Sequence, residues 1–421
     1  MSSQSGPVAR NNDPTAVAKT VANAYYAFGI VFLSDNFKRW EASKSSRFRD
    51  YRRAWFERPA KLDAGDFPLN LDFEITTRCN LACTFCTQPT LTAGQLGDMP
   101  WDLFVRVADE CEKYATPAAN FNGLGEPLLV RALPDMIRYA KEHGFIDVMF
   151  HTNGTIMTEA IADRLIDSGL DRIIFSVDSP DKQTYEAMRV GASFDSVARN
   201  VRFFFEHRQE RMRTMPIIRT TMIVTDETVQ QVPDFVDRWK PVSDQITLQD
   251  LTWRSKQLED GTWTNGERST IHTSFDQIRE AAIAHKVGFA CPYLFQTAYA
   301  YWNGDVIPCS NPNARKEMVM GHVDRQSMHA IWHGKEYREL RDLHATGRWH
   351  EHPVCRSCEI PLIELYKTLT RDGLTFESDD AGVHQKVVAA DLAPDDKSAD
   401  DLALRMQAES SSETSPKPPG A

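Results

Sequence analysis

From residue 71 onward, short apolar runs alternate with segments in which apolar positions recur at helical spacing. The runs fall at residues 71–77, 119–124, 147–152, 172–177, 217–224 and 245–251. Each is rich in Val, Ile, Phe or Thr, as expected of strands buried on both faces. Between them, residues 101–114, 133–143, 159–168, 194–208 and 229–239 follow the helical period. Thr158 and Asp195 stand where helices are capped or started, and Gly144 and Gly169 where they end. Six such repeats, without a seventh or eighth, predict an α/β fold: a partial (βα)6 parallel barrel rather than a closed eightfold one. A doubly wound open sheet is the competitor, and periodicity alone does not separate the two.

The flanks differ from this middle. Residues 14–59 read as helical and carry many aromatic side chains, among them Phe37, Trp40, Phe48, Tyr51 and Trp55. They are expected to cap the larger domain by core packing, a substrate lid or partner surface being the alternatives. Residues 252–270 are polar and read as a long loop, followed by a helix at 275–285. Residues 288–362 change character, with short strands, turns and four cysteines. Past residue 379 the composition turns to Ala, Asp, Ser and Pro, which predicts a solvated acidic tail. The expected organisation is therefore an N-terminal helical extension (1–66), the partial barrel (67–287), a small cysteine-bearing domain (288–375) and a disordered acidic tail (376–421).

Composition narrows the function classes. Hydrophobic residues make up 42% of the 421, enough for a core, and the net charge is −11. An acidic chain without basic blocks speaks against nucleic-acid binding. No apolar run reaches 18 residues, so no membrane span is expected. The most apolar N-terminal stretch, 16–33, is interrupted by Lys19 and Asn23 and lacks signal-peptide features. A cytoplasmic location with reduced thiols is the corresponding expectation, which turns the eight cysteines from disulfide candidates into metal-ligand candidates.

Three of them form Cys79-x3-Cys83-x2-Cys86. Three thiolates cannot close a tetrahedral zinc site without a distant fourth ligand, but they can hold three irons of a cubane and leave the fourth open to a ligand. The loop follows a predicted strand, at the end where parallel α/β proteins place active sites. This spacing, with Phe85 before the last cysteine, resembles that of the radical S-adenosylmethionine superfamily; zinc or structural cysteines are the plainer reading. Further motifs follow successive strands: Gly123-Leu-Gly125-Glu126-Pro127-Leu128, His151-Thr152-Asn153-Gly154 and Ser176-Val-Asp178-Ser179. The first resembles the family's Gly-Gly-Glu-Pro segment, with Leu124 where glycine is usual. Its glycines allow close backbone approach, and Glu126 can accept from an ammonium group. The resemblance implies that Phe85, Gly123, Gly125, Glu126, Pro127, Thr152, Asn153, Ser176 and Asp178 surround the cofactor. It also implies a [4Fe–4S] cluster that passes an electron from an external flavodoxin- or ferredoxin-type reductant to S-adenosylmethionine, yielding methionine and a 5′-deoxyadenosyl radical that abstracts substrate hydrogen.

Four cysteines remain as Cys291-x17-Cys309 and Cys355-x2-Cys358. By ligand chemistry alone, zinc and an iron–sulfur cluster are equally open. The neighbouring Trp302-Asn-Gly304-Asp-Val-Ile-Pro308-Cys309, Gly321-His-Val and Ile331-Trp332 resemble the SPASM module or its shorter twitch form. Four cysteines imply one auxiliary [4Fe–4S] cluster, fully ligated and acting as an electron relay. Cys111 is left over within a predicted helix and is expected to be an inert thiol. The set resembles that of the twitch-type dehydrogenase that oxidises an aminocyclitol alcohol in antibiotic biosynthesis, which implies a small-molecule substrate. Asp250 as base and Arg254 as anionic-group clamp are the candidate substrate residues. Sugar epimerisation and peptide modification are the rival reactions, and a zinc-ribbon binding protein is the non-enzymatic one.

Overall fold

A computed structural model describes residues 29–225, 228–250 and 290–358, with short stretches at 255–257, 263–265, 279–280, 283, 375–378 and 385–388. Six parallel strands form where the apolar runs predict them: β2 (Asn70–Phe73), β3 (Ala118–Asn120), β4 (Asp147–Thr152), β5 (Arg172–Ser176), β6 (Ile217–Val224) and β7 (Gln245–Asp250). Their order in the sheet is sequential, and the curved sheet is not closed into a full barrel. The crossover helices are α3 (Trp101–Lys113), α4 (Leu133–Glu142), α5 (Glu159–Asp167), α6 (Lys182–Met188), α7 (Phe194–Glu210) and α8 (Val232–Trp239), preceded in the chain by α1 (Asp35–Ala42) and α2 (Ser46–Ala60). Thr158 caps α5 by accepting from the Ile161 amide. Asp195 is not a cap: Ser193 holds that position and Asp195 sits in the first turn of α7, where a carboxylate meets the positive end of the helix.

Both edges of the six-stranded sheet are covered. The N-terminal extension, expected to be helical throughout, contains β1 (Gly29–Leu33), which pairs antiparallel with β7. Its Gly-Ile-Val-Phe-Leu sequence favours a strand, and β7 would otherwise present an unpaired edge. At the other edge β10 (Thr297–Ala300) of the cysteine-rich domain runs parallel to β2, residue for residue from Thr297 opposite Asn70 to Ala300 opposite Phe73. Strands β11 (Asp305–Ile307) and β12 (Gly321–His322) extend the sheet antiparallel. A separate hairpin joins β8 (Ser255–Gln257) and β9 (Trp263–Asn265). The C-terminal domain is completed by α9 (Tyr293–Gln296), α10 (Ala314–Glu317), α11 (Met328–Trp332), α12 (Lys335–Ala345) and α13 (Pro353–Ser357). Residues 366–421 form a second unit in which β13 (Thr375–Ser378) pairs with β14 (Gln385–Val388). The remainder of the expected acidic tail, the first part of the N-terminal extension and most of 251–289 lie outside the described residues.

Two packing features position the site. Phe37, Trp40, Phe48 and Tyr51 of α1 and α2 pack on Leu69, Ala118, Ile146 and Ile217, all at the beginnings of strands. The extension therefore plugs the N-terminal end of the barrel. Along the strands, one set of alternate side chains (Val148, Phe150, Ile173, Phe175, Ile218, Met222) is buried in the main core. The opposite set remains partly exposed: Met149 and His151 on β4, Arg172 and Ser176 on β5, Arg219 and Ile223 on β6, and Tyr299 on β10. With a period of two along each strand, these side chains line an open interior.

Candidate functional site

The loop after β2 carries Cys79, Cys83 and Cys86, each half-buried and unpaired by any disulfide. It is anchored on both sides. The Ala82 and Thr84 amides donate to the Val190 and Met188 carbonyls at 2.9 and 3.0 Å, and the Glu126 amide donates to the Arg78 carbonyl at 2.8 Å. Cys83 feels the charge of both Cys86 and Cys79, and Cys79 feels that of Cys86. Burial pushes all three thiols up, Cys83 to about 11. A bound metal centre supplies the positive charge that deprotonates coordinating thiols, and Arg189 also pulls Cys83 and Cys86 down.

The second motif closes on this loop. A Cβ at Gly125 would stand 2.4 Å from the Thr76 carbonyl oxygen and 2.7 Å from that of Arg78; at Gly123 it would stand 2.4 Å from Glu74 Cγ. The close approach that these glycines permit is thus to the chain entering the cysteine loop. Glu126 is buried, and its carboxylate accepts from the Leu128 amide at 3.1 Å, Thr152 Oγ1 at 2.7 Å and the Asn153 amide at 2.7 Å. Those donors tie the Gly-x-Gly-Glu-Pro127 turn to the end of β4. Asn153 reaches onward, its Nδ2 lying 3.0 Å from Asn80 Oδ1 and 4.0 Å from Cys79 Sγ. The motifs that end β2, β3 and β4 therefore form one continuous rim.

The fourth motif joins through a residue that sequence reasoning missed. Asp178, fully buried and with φ of 43°, accepts from the Ile223 amide at 3.0 Å and from Arg189 Nε at 2.6 Å. Arg189 then places its guanidinium 5.6 Å from the Phe85 ring centroid and Nη1 3.9 Å from Cys83 Sγ. No local pattern marks Arg189; its signal is a pairing between the end of α6 and the β5 turn. Ser176 lines the open interior. Asp250 ends β7, its side chain lying outside the described residues, and Arg254 lies outside them altogether.

Cys291, Cys309, Cys355 and Cys358 line one cavity with Tyr293, Leu294, Pro308, Met318, Leu340 and Val354, and with Asn311 and His344. His344 Nε2 is 3.4 Å from Cys355 Sγ, and burial pushes Cys309 up to about 11. Among the described residues no three His, Cys, Asp or Glu converge on a single ion position. Ligands of one zinc ion must all lie within about 2.3 Å of it, whereas the thiolates of a cubane bind separate corners. The four thiols around this one cavity are the donors that an iron–sulfur centre would use. Tyr293 lines this cavity and Tyr299 lies opposite Asp72 in the β2–β10 pairing, both feeling the charge of Cys309 and of Asp72.

One buried pair, Arg315 with Glu74, couples the domains beside the β2–β10 pairing. Both terminal nitrogens of Arg315 donate to Glu74, one at 2.8 Å, and the guanidinium lies 3.9 Å from the Tyr301 ring centroid. Asp72 accepts from Asn70 at 2.7 Å and Asn120 at 2.6 Å, and burial, only partly offset by these bonds, raises it to about 7.

Residues 73–238 match the family model described as Radical SAM superfamily, and residues 291–359 match SPASM, an iron–sulfur cluster-binding domain. The tungsten-containing aldehyde ferredoxin oxidoreductase cofactor-modifying protein of Pyrococcus furiosus is 25% identical over 314 residues, 69% of this chain and 87% of that protein. A probable GTP 3′,8-cyclase of Methanococcus maripaludis is 29% identical over 163 residues, 39% of this chain and 52% of that protein, so the chain spans about half of that relative's length. Among solved structures, Streptococcus suis SuiB bound to S-adenosylmethionine has a TM-score of 0.54 at 14% identity, covering 83% of this chain and 81% of that one.

Proposed function

The chain belongs to the radical SAM superfamily and carries a C-terminal SPASM domain; from that premise we propose that it oxidises an alcohol carbon of a small sugar- or aminocyclitol-type metabolite. Its cofactors are a [4Fe–4S] cluster with S-adenosylmethionine and an auxiliary iron–sulfur centre. When bound, the first pair supplies a 5′-deoxyadenosyl radical and the second centre supplies an electron acceptor. Cys79, Cys83 and Cys86 would hold the first cluster, and Cys291, Cys309, Cys355 and Cys358 the second.

The thiol inventory carries the choice of reaction. Seven of the eight cysteines are committed to the two clusters. The eighth, Cys111, has no exposed surface and packs in the core on α3. No thiol is left to return a hydrogen atom to a substrate radical, which disfavours epimerisation. Four thiolates saturate the auxiliary centre, which suits electron transfer better than substrate binding. A carbinol carbon that gives up a hydrogen atom, an electron and its hydroxyl proton becomes a ketone; the centre held by Cys291, Cys309, Cys355 and Cys358 would supply the electron acceptor, and a base on this chain takes the proton.

The chain's own residues prepare that step. The rim built on Glu126, Thr152, Asn153 and Arg189 holds the cofactor turn rigid, which fixes the distance between reacting atoms. Asp72 is the best-placed proton acceptor among the described residues. It lies on the inner face of β2 toward the auxiliary cysteines, and at about 7 it changes charge near neutral pH. Asp250 is the alternative base. A soluble flavodoxin- or ferredoxin-type protein is the proposed electron donor. The test is a single anaerobic turnover with a panel of sugars and aminocyclitols. A product two mass units lighter is expected. Unchanged mass with deuterium gained from solvent, or turnover of a precursor peptide only, would replace this reading.

A further inference from the structure

Among the described residues the guanidiniums of the interior differ in how they are paired. Arg172 donates from Nε and Nη2 to both oxygens of Asp147 at 3.0 and 2.6 Å, and Arg189 is matched by Asp178. Arg219 has only a neutral partner among the described residues: Nε donates to Gln245 Oε1 at 2.6 Å. It stands on the inner face of β6, opposite Ile174 of β5 and Gln245 of β7. Burial, and next the charge of Arg172, pull Arg219 down to about 9. His151, on the neighbouring inner face of β4, is pulled down to about 3 by burial and then by Arg219, Arg172 and Arg189, so it is neutral at physiological pH.

An interior cation with no dedicated counter-ion among the described residues is costly, and folded proteins resolve such charges by pairing them. Among the described residues the acid whose charge supports Arg219 is Asp147, whose oxygens are already engaged by Arg172. With Nε held by Gln245, the two terminal nitrogens of Arg219 have no partner among the described residues and suit a planar, two-point contact, the geometry that a guanidinium offers to carboxylate and phosphate.

We propose that the barrel interior binds an oxyanionic group of the substrate, a phosphate or a carboxylate, on Arg219, with Arg172 and the neutral His151 beside it. The inference rests on the reading that substrate enters this interior, and it narrows that reading. A free aminocyclitol would bring an ammonium group against two guanidiniums, so a sugar or cyclitol bearing phosphate or carboxylate is selected. Met149, Ile223 and Tyr299 on the same wall offer an apolar surface for the carbon skeleton.

The experiment is calorimetric titration of the anaerobically reconstituted holoenzyme, with S-adenosylmethionine present, using four three-carbon probes. These are glycerol 3-phosphate, glycerate, neutral glycerol and cationic serinol. At least one anion is expected to bind tenfold or more tighter than glycerol, and serinol no tighter than glycerol; the two anions decide between phosphate and carboxylate. Arg219→Gln should lose that preference. Gln245→Glu keeps the arginine but places a carboxylate against Nε, and it should lose the preference too while unfolding at a higher temperature than the parent. If neither anion outbinds glycerol, or if both variants keep the parental preference, the proposal is overturned. Release of 5′-deoxyadenosine by the parent is measured alongside, so a wrong binding group and wrong radical chemistry give different results.

Discussion

Gly125→Ala is the substitution whose effect follows most directly from the coordinates. The new methyl carbon would lie 2.4 Å from the Thr76 carbonyl oxygen and 2.7 Å from that of Arg78. Ordinary non-bonded contacts lie near 3.5 Å, so the turn must retreat by about 1 Å. Both obstructing atoms are backbone, on the stretch that leads into Cys79, and cannot swing aside as a side chain would. Retreat would stretch the 2.8 Å bond from the Glu126 amide to the Arg78 carbonyl beyond hydrogen-bonding range. Overpacking costs about 1–3 kcal/mol and the lost bond about 0.5–1.5 kcal/mol, so the variant should be destabilised by about 2–4 kcal/mol. If the turn yields locally instead, the same energy appears as weaker cofactor binding, tenfold for each 1.4 kcal/mol or so. Denaturant unfolding and equilibrium binding of S-adenosylmethionine, measured on the same preparation, capture both routes. Gly94→Ala is the control, since a Cβ there meets nothing within 4 Å. A Gly125→Ala protein within about 0.5 kcal/mol of the parent, with parental cofactor affinity, would refute the claim that these glycines are required by packing against the cysteine loop.

Other outcomes follow from the buried polar groups. Arg315→Met leaves Glu74, whose side chain is 1% exposed, buried without its cation, and should cost about 3–5 kcal/mol in denaturant unfolding; adding Glu74→Met should recover most of that loss. Asp72 takes up a proton at higher pH folded than unfolded, so the parent should lose stability relative to Asp72→Asn as pH rises from about 4 to about 7. Thermal unfolding across that range checks the sign: equal slopes for the two proteins would contradict the raised carboxylate. If Asp72 is the proton acceptor, parental turnover should also rise through pH 7 while Asp72→Asn stays slow and flat. Cys111→Ala should leave the product unchanged and cost about 1 kcal/mol of stability; a switch of product would identify that thiol as a hydrogen donor.

The parts of this molecule that were legible in its sequence are those whose signal is local. The six apolar runs became β2–β7 because a strand buried on both faces needs little context. The cysteine spacings were readable because ligands of one cluster must lie close along the chain or in paired short motifs. The edges were not readable. β1 lies in a stretch whose sequence pattern reads as helical, and its strand state depends on the open edge of β7, more than 200 residues away. β10 likewise depends on β2. The charge network was also hidden. Arg315 and Glu74 lie 241 positions apart, and Arg189 meets Asp178 only because α6 returns its end to the β5 turn. The glycines read as places of close approach, and the structure shows Gly125 against the Thr76 and Arg78 carbonyls and Gly123 against the Glu74 side chain. The polar loop at 252–270 and Arg254 lie outside the described residues.

One measurement bears most directly on the whole account. Protein reconstituted with iron and sulfide without oxygen, then given S-adenosylmethionine and a strong reductant, is assayed for 5′-deoxyadenosine beside a Cys83→Ala variant. The account predicts release by the parent and none by the variant. No release from the parent, or equal release from both, would contradict it.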